Sequence, residues 1–121
     1  MEDFSSFDNY IIRHQLEFSS DEWNDISKKY ELSVHMMRLF QNRLNWRYIA
    51  QYQSLRVDFI REFIEYQLRP YMEVICKYQL LDEDFIRNYK DKVDWDLVLE
   101  YQELSTEFIL EHADVIKISR N

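Results

Sequence analysis

Over residues 95–116 one series of apolar side chains recurs at regular spacing: Trp95, Val98, Tyr101, Leu104, Phe108, Ile109 and Ile116. The same string occurs 23 residues earlier as Met72, Ile75, Tyr78, Leu81, Phe85, Ile86 and Val93. It occurs 26 residues before that as Trp46, Ile49, Tyr52, Leu55, Phe59 and Ile60. A degenerate copy lies 23 residues further back: Trp23, Ile26, Leu32, Met36, Met37 and Leu44, with Lys29 in the tyrosine column.

Within each copy the spacing is helical. It predicts that Trp, Ile or Val, and Tyr form one inner face of a helix of about two turns. Ser33, Asp82 or Ser105 follows as a candidate N-cap for a second helix, and Asn45 or Asp94 precedes the next Trp as another. Each copy therefore reads as a helical hairpin with two caps. Such a hairpin cannot bury its apolar face alone, and stacking about three or more solves that problem. The expected units are 23–45, 46–71, 72–94 and 95–118. The second departs from the pattern: Arg56 stands where the others have Ser or Asp. Its second helix is expected to run over 57–69 until Pro70 disfavours helix, with a change of angle there.

Residues 1–22 lie outside the repeat. Phe4, Phe7, Ile11 and Phe18 suit an amphipathic helix, which predicts an atypical N-terminal cap. A short strand over Tyr10–Phe18 is the alternative. The expected fold is all-α: short helical-hairpin repeats stacked into a small solenoid-like single domain, 1–121, with an N-terminal helical cap.

Composition sharpens this picture. The 121 residues include no Gly and one Pro, where average usage gives about eight Gly. Gly-rich β turns and phosphate-binding Gly loops are excluded. The single cysteine, Cys76, has no intramolecular disulfide partner, which fits a reducing compartment. The N-terminus does not read as a signal peptide, and no run nears the roughly 18 apolar residues of a membrane span. The expected location is cytoplasmic.

Net charge is −8, unevenly spread: −5 over 1–37, +3 over 38–70 and −6 over 71–121. That balance disfavours duplex binding through a broad basic face. The central positive segment is all Arg, either a helix's solvated face or a contact patch.

The string Val93-Asp94-Trp95-x-x-Val98-x-x-Tyr101-Gln102-x-Leu104-Ser105-x-x-Phe108-Ile109 resembles tandem short helical repeats in proteins of phages and giant viruses. The match is best at Val93–Ile109, fair at Trp46–Ile60, and covers about three-quarters of the chain. The resemblance implies a virus-encoded helical-repeat protein; it brings no catalytic residues with it.

Side chains capable of chemistry are few. His14, His35 and His112 form no metal-ligand spacing, and His112 falls in an apolar column, a core histidine rather than a ligand. Cys76 neighbours the core position Ile75 and reads as a small buried hydrophobe rather than a nucleophile. Glu62, Glu65 and Asp82–Asp84 read as solvated helix faces or N-terminal charges rather than an acid–base pair. The tryptophan column reads as core rather than a base-stacking platform. Gln follows the column Tyr at Gln53, Gln79 and Gln102, a repetition that points to architecture. Without Gly at helix ends, that amide is available for free turn carbonyls or for the neighbouring unit.

Outside the columns, Arg38, Arg47, Tyr48, Gln51, Arg61 and Tyr66 mix Arg with Tyr where the charge reverses, the composition of an interface hot spot. The expected function is a non-enzymatic protein-binding module without cofactor or metal, modulating a host protein such as a defence factor. A nucleic-acid mimic and a homodimeric structural protein are the alternatives. No direct nucleic-acid or membrane contact is expected.

Overall fold

The computed structural model describes residues 5–120, with side-chain burial described for 5–116. Among the described residues the chain is all-helical, with ten α-helices and no strand. No described helix is long and apolar enough to cross a membrane. The chain forms two compact units, one ending at Gln53 and the other beginning at Ser54.

The first unit holds α1 (Ser6–His14), α2 (Ser20–Lys29), α3 (Val34–Leu39) and α4 (Trp46–Tyr52). Helix α2 packs against α4. Ile11, Trp23, Ile26, Leu32, Met36, Met37, Phe40, Leu44, Trp46 and Ile49 are buried. Ile11 joins this core from α1, Phe7 is half-buried, and Phe18 lies beyond the helix in extended backbone after a 3₁₀ turn, Gln15–Glu17. Phe4 lies outside the described residues.

The second unit holds α5 (Val57–Phe63), α6 (Met72–Tyr78), α7 (Glu83–Asn88), α8 (Trp95–Tyr101), α9 (Thr106–Glu111) and α10 (Ala113–Arg120). Helix α6 packs against α8, as α2 does against α4 49 residues earlier, and α10 also packs against α8. Phe59, Ile60, Phe63, Ile64, Leu68, Ile75, Phe85, Ile86, Trp95, Val98 and Phe108 are buried. Such side chains contribute roughly 1.5–3 kcal/mol each on burial.

Helix starts follow the spacing of polar residues. Ser33, Asn45, Asp82, Asp94 and Ser105 each accept a hydrogen bond from the backbone N–H three residues on. Ser19 and Glu22 form a full capping box on α2. Arg56 makes no side-chain cap on α5.

Two expectations need correction. Helix α5 stops at Phe63, not near Pro70. Beyond it, Tyr66 N–H and Leu68 N–H both donate to the Phe63 carbonyl at 3.0 Å, and a 3₁₀ turn, Arg69–Tyr71, carries the Pro. Buried Ile64 and Leu68 shape this turn from the tertiary side, so the helix yields well before the Pro requires it.

The column tyrosines are not an inner face: Tyr52, Tyr78 and Tyr101 are 46%, 47% and 43% exposed, while Gln53, Gln79 and Gln102 are buried. Helix geometry explains the exchange. A residue six places on from the Trp position lies about 120° round the axis, whereas one seven places on lies within about 20° of it.

Candidate functional site

The buried glutamines bind neighbouring helix ends. Gln102 donates from Nε2 to the carbonyls of Cys76 and Gln79 at 2.8 and 2.7 Å, and its Oε1 accepts from Leu81 N–H at 2.9 Å. Gln53 makes the same three bonds 49 residues earlier: to Ser27 and Tyr30 carbonyls at 3.0 and 2.7 Å, and from Leu32 N–H at 3.0 Å. Gln79 Oε1 likewise accepts from Leu55 N–H at 3.0 Å. The last carbonyls of a helix lack internal partners and are often satisfied around a Gly in left-handed geometry. Here α2, α4, α6 and α8 end in extended backbone, with no positive φ among the described residues. At the ends of α2 and α6, an amide brought from 23–26 residues on does the work of the missing Gly.

With Gln turned inward, the tyrosines face water on ordered helices. Lys28 Nζ lies 5.6 and 5.3 Å from the ring centroids of Tyr48 and Tyr52 in the first unit. Lys77 Nζ lies 5.3 and 5.6 Å from those of Tyr78 and Tyr101 in the second. Leu80, two residues after Tyr78, is 86% exposed. Large amphipathic rings with a cation suit a protein interface. Sequence reading missed these two tyrosine surfaces, one in each unit, by assigning the column tyrosines to the core; the six-residue offset within the helix is the signal that finds them.

The six residues of the Arg–Tyr patch are placed as follows. Arg47, Tyr48 and Gln51 share α4, where Arg47 is exposed and Tyr48 and Gln51 are half-buried; exposed Arg38 is on α3. Tyr66, 72% exposed, sits in the turn after α5. Arg61 has a structural engagement: Nη1 donates to Asn88 Oδ1 at 2.7 Å and its guanidinium lies 5.4 Å from the Phe85 ring centroid. Arg87, 26 residues on, repeats the arrangement over Phe108 at 5.3 Å and donates to Glu111 at 2.8 Å. That hydrogen bond holds the Glu111 carboxyl below its ordinary range and keeps Arg87 more firmly protonated. Both groups are solvent-exposed, so the pair contributes little to stability.

Other titratable groups are largely structural. Cys76 is fully buried, and burial pushes its thiol up to about 11. The thiol is therefore protonated at neutral pH and a poor nucleophile. His112 is buried, stacked on Phe108 at 4.2 Å, with Nδ1 3.0 Å from the Phe108 carbonyl. Its backbone, with φ −110, interrupts the last segment's second helix between α9 and α10. His14 pairs with Glu17 at 2.8 Å. Asp82 caps α7, Glu83 accepts from Ser105 N–H at 2.6 Å, and Asp84 pairs with Arg87 at 2.8 Å. No three His, Cys, Asp or Glu side chains among the described residues are grouped to hold a metal ion.

No family model, curated protein or solved structure matches the chain.

Proposed function

We propose that the chain is a helical-repeat protein-binding module, virus- or phage-encoded, that modulates a host protein. The single observation carrying this reading is the outward display of Tyr52, Tyr78 and Tyr101, with Lys28 and Lys77, on helices pinned by buried glutamines. Tyrosines already ordered before binding lose little conformational freedom on docking. In this reading the hairpins stack in the solenoid manner and residues 1–22 serve as N-terminal cap. The recurrence of the α2–α4 and α6–α8 packing and of the glutamine bonds supports it. The viral origin rests on the repeat resemblance alone. Arg38, Arg47, Tyr48, Gln51, Arg61 and Tyr66 stay in the proposed contact surface, with Arg61 also bracing α5 to Asn88.

Affinity capture from host lysate, read by mass spectrometry, tests the proposal. A specific partner should be lost at least about tenfold on combining Tyr78→Ala with Tyr101→Ala, or on Arg47→Glu. A partner retained by both variants refutes this assignment of the surface.

The second reading is a nucleic-acid mimic. It is favoured by exposed Glu100, Glu103 and Glu107 within a segment of net charge −6. It predicts a partner released by nucleic acid and by salt, and lost on neutralising those three residues. A homodimer is compatible with either reading, and light scattering decides it.

A further inference from the structure

The first unit contains a cleft of about 200 Å³ lined by four aromatic rings, Phe7, Tyr10, Phe18 and Tyr30. Two carboxylate residues, Glu22 and Asp25, share the lining. Phe7 and Tyr10 come from successive turns of α1, Glu22 and Asp25 from successive turns of α2, and Tyr30 is the C-cap of α2. Phe7 and Tyr30 stack at 4.9 Å, and Tyr10 and Phe18 lie 6.5 Å apart, centroid to centroid. Other ring neighbours are His14, 4.4 Å from Tyr10, and Trp23, edge-on to Phe18 at 5.5 Å.

We propose that this cleft binds a methylated ammonium group, of the kind carried by a methylated lysine side chain or by choline. Aromatic faces attract cations through the ring quadrupole, and quaternary ammonium groups are the cations such clusters recognise best. Two carboxylates make an anionic occupant unfavourable. A purely aliphatic one would strip water from them without replacing it. A primary ammonium needs several hydrogen-bond acceptors to replace its hydration, and here one oxygen of each carboxylate is already engaged. Glu22 Oε1 accepts from Ser19 N–H at 3.1 Å, and Asp25 Oδ1 lies 3.4 Å from Lys29 Nζ. A methylated cation needs charge and ring faces, not acceptors. The volume, about 200 Å³, is below the roughly 300–1,000 Å³ of drug-sized sites, which suits a single substituted group. The net charge of −8 draws cations to the chain.

Nuclear magnetic resonance titration of the full chain tests this, with choline compared against its uncharged isostere 3,3-dimethylbutan-1-ol. Choline should shift the ring resonances of Phe7, Tyr10, Phe18 and Tyr30 saturably and bind at least about fivefold more tightly than the isostere. Phe18→Leu, which keeps apolar volume, and Asp25→Asn, which keeps shape, should each weaken choline several-fold. Circular dichroism shows which variants are folded, and one folded variant suffices. A short trimethyllysine peptide is the third arm: tighter than choline, it assigns a protein source; weaker, it assigns a free amine or headgroup. Equal affinity for choline and the isostere, ring resonances unmoved at tens of millimolar choline, or full affinity in a folded variant overturns the proposal. None of the cleft residues is Tyr52, Tyr78 or Tyr101, so failure here leaves the protein-binding reading to stand or fall on its own test.

Discussion

The side-chain amide of Gln102 donates to the backbone carbonyl of Gln79 at 2.7 Å, so one column glutamine holds the backbone of the one before it. The same amide also reaches Cys76 and accepts from Leu81. Three backbone groups around the end of α6 thus depend on one side chain at the end of α8.

Gln102→Ala should therefore destabilise the chain by about 2–4 kcal/mol, since buried groups left without partners cost roughly 1–3 kcal/mol each. Gln102→Glu should be worse at neutral pH, because a carboxylate cannot donate to two carbonyls. Burial raises the pKa of the introduced carboxyl above its unfolded value near ~4.3, so the penalty is full above the raised value. It shrinks as pH falls towards the unfolded value. Urea denaturation at several pH values checks both.

Helix α5 is the second case. Arg56 is exposed and makes no side-chain cap, while Ser33 and Ser105 at corresponding positions do. Arg56→Ser or Arg56→Asp should stabilise the chain by about 0.5–2 kcal/mol, and Ser105→Ala should cost about as much. Thermal melts of the three variants give the signs directly.

Cys76 should resist thiol reagents in the native state and react fully in denaturant. Burial raises its thiol from 9.0 to about 11. The unfolded chain therefore loses the proton first. This group's contribution to stability is full below pH 9.0 and falls as pH rises towards about 11. Cys76→Ser should fold and lose that pH slope. Ser27, 49 residues earlier, already accepts from Asn45 N–H at 2.8 Å, as Cys76 accepts from the backbone of Asp94.

The tryptophans should differ. Trp46 and Trp95 donate from Nε1 to the carbonyls of Gln41 and Lys90 at 2.8 and 2.9 Å. Trp23 Nε1 is buried with no hydrogen-bond partner among the described residues. Trp46→Phe and Trp95→Phe should each cost about 1 kcal/mol more than Trp23→Phe, the net value of one hydrogen bond. Chemical denaturation of the three variants measures the difference.

Much of this organisation was legible in the residues. The apolar columns Trp23–Ile26, Trp46–Ile49 and Trp95–Val98 are buried pairs, and Ser33, Asn45, Asp82, Asp94 and Ser105 cap the helices their positions announced. These are local matters. A three-residue step decides a helix face, and a side-chain oxygen decides where a helix starts. The candidate surface was harder to read, because a hydrophobic-polar pattern groups amphipathic Tyr101 with Val98, and its angle on the helix turns it outward.

The sequence by itself determined that this chain is helical, that one apolar string recurs along it, and that its helices end without glycine. Only the tertiary structure decided what replaces the glycine, and that Arg61 braces Asn88 and Phe85 while also belonging to the Arg–Tyr group. The physical reason is distance along the chain. Caps and faces are set within one or two helical turns, whereas the partners of Gln53, Gln102 and Arg61 lie 21–27 residues away. No local preference specifies which of the polar groups at that distance a side chain will meet.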